Sequence, residues 1–217
     1  MKRLHSIAAV SPLLFLCVVL IEASQNHFTV DATRQPGPPV RGRGPFPGSP
    51  TPGHSANLPI RLDLLFQTGD LRPDGTTPVD FVITNVGTEP IILPSSVDQK
   101  IVPMVQRVVL TLWLTSDGIK DVFFRDITSG RLVKVEAVGT SAELYGSGDV
   151  PQSFHELAPN ESMRVHASSR VQLDQGVNSF TGHAELLQVL NGTSKVIGTA
   201  DSAVITQTLS IPSPNPR

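Results

Sequence analysis

Past Leu58 the chain falls into short segments in which apolar and polar residues alternate with a period of two, the mark of strands with one buried face. Ile60, Leu62 and Leu64 alternate with Arg61 and Asp63, and Val79, Phe81 and Ile83 alternate with Asp80 and Thr84. Ile91 to Leu93 follows, then Val108, Leu110, Leu112 and Leu114 against Arg107, Thr111 and Thr115, then Val122 to Phe124 and Leu132 to Val138. The clearest alternation runs from Ser162 to Leu173. Met163, Val165, Ala167, Val171 and Leu173 share one side, while Arg164, His166, Ser168, Arg170 and Gln172 share the other. Such a pattern puts one side in a core and the other in water.

Two further strands, Phe180 to Leu190 and Lys195 to Leu209, meet at Asn191 and Gly192, a pair that tolerates the positive φ angles of a tight hairpin turn. Asp74 with Gly75 and Asp117 with Gly118 mark other turns, and Gly139 to Pro151 reads as a loop because glycine, serine and proline crowd its end. No apolar set recurs at helical spacing over three turns. The fold class is therefore all-β: roughly seven to nine strands in about 150 residues suit two antiparallel sheets packed face to face, with a barrel as the alternative. No internal repeat points to a propeller or solenoid.

The start of the chain has a different character. Lys2 and Arg3 precede an apolar run from Ile7 to Ile21, which closes on Glu22, Ala23 and Ser24. That is the layout of a secretory signal peptide cleaved after Ala23. The run is short for a membrane-spanning helix and is interrupted by Pro12. Export implies a secreted or periplasmic location. The single cysteine, Cys17, lies in the leader, so the mature chain has no thiol for a disulfide, a zinc-thiolate site or a nucleophile. Losing Lys2, Arg3 and Glu22 takes the net charge from −2 to −3, too mild to suggest a nucleic acid or membrane-surface partner.

Between Arg34 and Asn57, seven prolines and five glycines make up half of 24 residues. Proline removes backbone donors and glycine adds chain entropy, so the segment reads as a tether with a reach of about 75 Å. Arg41, Gly42, Arg43 and Gly44 within it read as solvated charge. The chain thus divides into a signal peptide (1–23), a disordered Pro/Gly-rich linker (24–57), a sandwich domain (58–211) and a disordered tail (212–217).

Two segments carry a family resemblance. In VDFVITNVGTEPIIL, Val79 to Leu93, a strand ends at Asn85, turns at Gly87 and restarts after Pro90; in FHELAPNESMRV, Phe154 to Val165, Leu157, Pro159 and Glu161 shape a turn before a strand. Together they resemble secreted bacterial immunoglobulin-like sandwich domains, including a group similar to the intracellular proteinase inhibitors of bacilli. The resemblance implies an immunoglobulin-like sandwich. It raises inhibition of a proteinase as an alternative function, through loops such as Asp117 to Lys120 or Gly139 to Pro151. Those inhibitors act inside cells, whereas this chain carries an export signal.

The chemical inventory is thin. No nucleophile elbow, phosphate-binding glycine loop, Cys-x-x-Cys, His-Glu-x-x-His or EF-hand motif occurs, so neither catalytic residues nor a cofactor site are assigned, and the chain is expected not to be an enzyme. His155, His166 and His183 fall in the domain. His183 and Glu185 share a strand face, and His166 on a neighbouring strand would complete a three-ligand metal site, but exposed polar positions on a sheet are the simpler explanation of all three and no metal is assigned. Trp113, opposite Leu110 and Leu112, is expected to be buried in the core rather than to form a sugar-stacking platform. Asn160 and Asn191 head glycosylation triplets but stand where turns need asparagine. What remains is an exported, monomeric, non-enzymatic module that binds a protein partner at or outside the cell envelope. A proteinase inhibitor is the alternative, and an envelope hydrolase or metal-binding protein comes third.

Overall fold

The computed structural model describes residues 28–35, 56–72, 75–101, 106–117, 122–125, 132–135, 140–169 and 173–212. They form β1 (Phe28–Asp31), β2 (Ala56–Asn57), β3 (Ile60–Phe66), β4 (Pro78–Asn85), β5 (Ile91–Pro94), β6 (Gln106–Ser116), β7 (Val122–Arg125) and β8 (Leu132–Val135). After these come β9 (Thr140–Gly146), β10 (Phe154–Leu157), β11 (Ser162–Ser168), β12 (Gly176–Leu190), β13 (Thr193–Asp201) and β14 (Ile205–Leu209). The only helical pieces among the described residues are two single 3-10 turns, at Gln99–Ile101 and Pro151–Ser153. Neither is a helix long and apolar enough to cross a membrane.

One sheet has the order β1-β11-β4-β3, antiparallel except that β1 runs parallel to β11. The second has the order β2-β13-β12-β6-β9, with β14 also on β12. Smaller pairs are β5 with β10 and β7 with β8. The alternation read from the sequence packs the two large sheets against each other. Leu62, Leu64, Phe81, Ile83, Met163 and Val165 come from the first sheet, and Leu110, Leu112, Leu144, Phe180, Ala184 and Leu186 from the second, into one apolar core. Close approach is needed at Gly182, where a Cβ would stand 2.6 Å from Leu64 Cδ2. The architecture is an antiparallel β-sandwich.

Several boundaries differ from the sequence expectation. Phe28–Asp31 and Ala56–Asn57 belong to the sheets rather than to the linker, because Phe-Thr-Val-Asp already alternates and its Val30 is buried against the core. The stretch read as a loop from Gly139 holds strand β9, in which Ala142 and Leu144 face inward. The run from Lys195 to Leu209 is two strands, and the one from Ser162 stops at Ser168. Asp80 and Thr84, read as water-facing, are 4% and 7% exposed: β4 is flanked on both sides, His166 and Gln67 engage Asp80, and Ser162 engages Thr84. The leader with Cys17 and Ala23, the Arg41–Gly44 run and residues 213–217 lie outside the described residues.

The two segments that carry the resemblance dock on each other through Asn85, which is fully buried. Its amide donates to the carbonyls of Glu89 and Leu157, both at 2.9 Å, and its Oδ1 accepts from the Gly87 N–H. Its backbone N–H donates to Glu161 and its carbonyl accepts from Asn160, which takes a φ of 66°. Asn85→Ala would leave three backbone partners unpaired. The expected loss is about 2–4 kcal/mol of unfolding free energy, read from urea denaturation, with the far-ultraviolet spectrum of the folded state unchanged.

Candidate functional site

The outer face of the first sheet carries a row of cross-strand neighbours, Asp31 on β1, His166 on β11 and Asp80 on β4. His166 Nδ1 donates to Asp80 Oδ1 at 2.7 Å, and the Gln67 amide donates to the same oxygen at 2.6 Å. These two donors compensate a carboxylate that is almost wholly removed from water. Asp31 is open to solvent, and its carboxyl is held below the usual aspartate value first by the Thr33 hydroxyl and then by the Thr33 backbone N–H, with smaller pulls from Arg34 and His166.

On the outer face of the second sheet, His183 on β12 faces Trp113 on β6 and Asp201 on β13, and Thr115 on β6 is its diagonal neighbour. Thr115 Oγ1 lies 2.8 Å from His183 Nε2, and His183 Nδ1 lies 2.7 Å from Asp201 Oδ1. The carboxylate fixes the proton on Nδ1, which leaves Nε2 to accept from the threonine hydroxyl. Trp113 stacks on the imidazole with ring centroids 5.3 Å apart. The tryptophan is buried as expected, at 9% exposure, but it faces away from the inter-sheet core rather than into it.

The three metal-ligand candidates are not brought together. His166 stands on the outer face of one sheet, since its neighbours Val165 and Ala167 point into the core. His183 and Glu185 stand on the outer face of the other, on either side of core-facing Ala184. Among the described residues no group of three His, Cys, Asp or Glu side chains is arranged to hold a metal ion. His155 lies flat on Phe28, ring centroids 3.8 Å apart.

A third feature was not legible in the sequence. At the seam between the sheets, two parallel bridges clasp the edges, Leu62 of β3 to Ser202 between β13 and β14, and Asp70 beyond β3 to Ser210 just after β14. Between the clasps the edges part and leave a groove of about 330 Å³. Leu62, Leu64 and Leu65 wall it from β3, and Ala203 and Ile205 from the opposite edge. Val82 and Arg164, cross-strand partners on β4 and β11, line it from the outer face of the first sheet, and Leu65 at its rim is 46% exposed.

The polar groups of the groove differ in one respect. Asp63 is paired with Arg61 Nε at 2.8 Å. The Ser202 hydroxyl accepts from the Gly182 N–H and donates to the Ala203 carbonyl, both at 2.8 Å. Arg164 has no hydrogen-bond or ion-pair partner among the described residues, and its Nε is sealed from solvent. Burying a guanidinium N–H without an acceptor is costly.

No family model matches the chain, and no curated protein matches it. Among solved structures, a Northeast Structural Genomics Consortium target, SoR45, aligns over 71% of this chain and 90% of its own at 11% identity, with a TM-score of 0.34. AvmM, described as catalysing macrocyclization in alchivemycin A biosynthesis, aligns over 75% and 93% at 13% identity and a TM-score of 0.33. A protein from Archaeoglobus fulgidus aligns over 70% and 98% at 8% identity and 0.26. Likeness at this level carries no functional argument.

The Asp31 geometry predicts a titration. A carboxyl with a lowered folded value adds stability above its unfolded value and loses that contribution as the pH falls through the folded one. Thr33→Val removes the hydroxyl donor, so the Asp31 carboxyl should move up toward the ordinary aspartate value in a carboxyl-carbon NMR titration while other carboxylates stay put.

Proposed function

We propose that this chain is an exported, non-enzymatic binding module whose sandwich engages its partner at the seam groove. The observation that carries this reading is Arg164, a guanidinium without a partner among the described residues, set beside apolar walls. The basic start, apolar run and small residues that end at Ala23 support export. In a pull-down from envelope extract, the wild-type chain should retain a specific partner that Arg164→Gln and Leu65→Asp both lose, with their melting curves preserved. Retention unaffected by either substitution counts against the groove.

A second reading, hydrolysis of an activated ester, has the Thr115, His183 and Asp201 alignment in its favour. The hydroxyl, imidazole and carboxylate follow the order that acyl-transfer triads use. It ranks below binding because the Asp201 side chain is 70% exposed, so water screens the charge that would stabilise an imidazolium. Incubation with a fluorophosphonate probe distinguishes the two readings. The binding reading expects no adduct on Thr115 by mass spectrometry, whereas a stoichiometric adduct abolished by His183→Gln would establish the hydrolase.

A further inference from the structure

The binding reading leaves the occupant of the groove open, and the chemistry of its walls narrows the choice. We infer that the groove takes a short aliphatic carboxylate, its head on Arg164 and its chain along Leu65, Val82, Ala203 and Ile205. This rests on the proposal that the seam is the binding site.

Of the polar groups that line the groove, two are already engaged. Asp63 has its cation in Arg61, and the Ser202 hydroxyl both donates and accepts within the chain. Neither is left to recognise a ligand. Arg164 is left, and it offers only donors. Its terminal Nη groups, which unlike Nε are not sealed from solvent, are the donors that can meet the oxygens of a carboxylate. A phosphate monoester fits less well, since it brings nearly two negative charges to one guanidinium with Asp63 close by. The remaining lining is apolar, so the rest of the ligand must be apolar too, or the walls would gain nothing from losing water.

Size sets the length of the tail. A groove of about 330 Å³ is at the small end of ligand pockets, which run from about 300 to 1,000 Å³. A chain of about eight carbons fits within that volume. Gly182, directly behind Leu64, keeps that wall in place: Leu64 fills the space a side chain would occupy, so the floor of the groove is fixed from the core side.

Calorimetric titration of the full chain with octanoate tests the inference, with octanol and an apolar peptide bearing a free C-terminal carboxylate as the other arms. Octanoate should bind at one site, and Arg164→Gln should weaken it about tenfold or more without lowering the melting temperature of the unliganded chain. Leu65→Asp, at the rim, should weaken it as well. Octanol binding as tightly as octanoate would overturn the role given to Arg164, and peptide binding with octanoate silent would overturn the choice of an aliphatic ligand. Octanoate failing to bind while partner capture still depends on Arg164 would sink this inference and leave the binding-module reading standing. Loss of both would remove the two together.

Discussion

Strand β12 is fifteen residues long, and two successive strands share one of its edges, a constraint on which the seam between the sheets depends. Its His183 faces Asp201 at the end of β13, and its Phe180 faces Ile205 at the start of β14. Two residues of β12, Thr181 and Gly182, therefore lie opposite three, Ser202 to Val204. An extra residue on one side bends the strand that carries it. Here the ladder is maintained by substitution: the Ser202 N–H donates to the Gly182 carbonyl, and the Ser202 hydroxyl stands in for the carbonyl that the Gly182 N–H would otherwise meet. The bend turns Ser202 toward β3, where it bridges Leu62 and ties the edge of one sheet to the edge of the other.

How far the sequence disclosed this depends on the kind of constraint. Alternation survives wherever a strand has one wet face, so Ile60 to Leu64, Arg107 to Thr115, the first half of the Ser162 run and the Asn191–Gly192 hairpin are all visible. Asn191 and Gly192 do take positive φ angles, 49° and 79°. β4 also shows alternation, but its polar positions are covered, and cover is supplied by neighbours that no local pattern names. β9 was obscured because only Ala142 and Leu144 mark its inner face and a glycine-serine turn comes after it. β1 was obscured because four residues are too few to stand out ahead of a proline-rich stretch. The bulge at Ser202 left no trace, since Ser-Ala-Val reads as a continuation of a strand. With the bulge hidden, the seam and its groove were hidden too.

The histidines show the same limit from the opposite direction. Spacing two along a strand did place His183 and Glu185 on one face, but it could not say on which sheet His166 would fall. The core decides that. Once Val165 and Ala167 point inward from one sheet and Ala184 from the other, the imidazoles must point away from each other, and each collects a carboxylate from the strand beside it instead. Cross-strand pairing of opposite polar groups is the ordinary way a sheet face settles its polar side chains. Both histidines follow it.

Arg164 does not. It shares a strand and a face with His166, two residues away, yet His166 has Asp80 as an acceptor while Arg164 has Val82 opposite it. On its other side β1 presents Thr29, which is uncharged. A cation flanked by a valine and a threonine has no carboxylate directly opposite it on either neighbouring strand. Lysine or glutamine at this position would cover the same apolar surface with less loss of donor capacity, since neither carries a five-donor fork. The geometry is therefore more costly than cover alone requires.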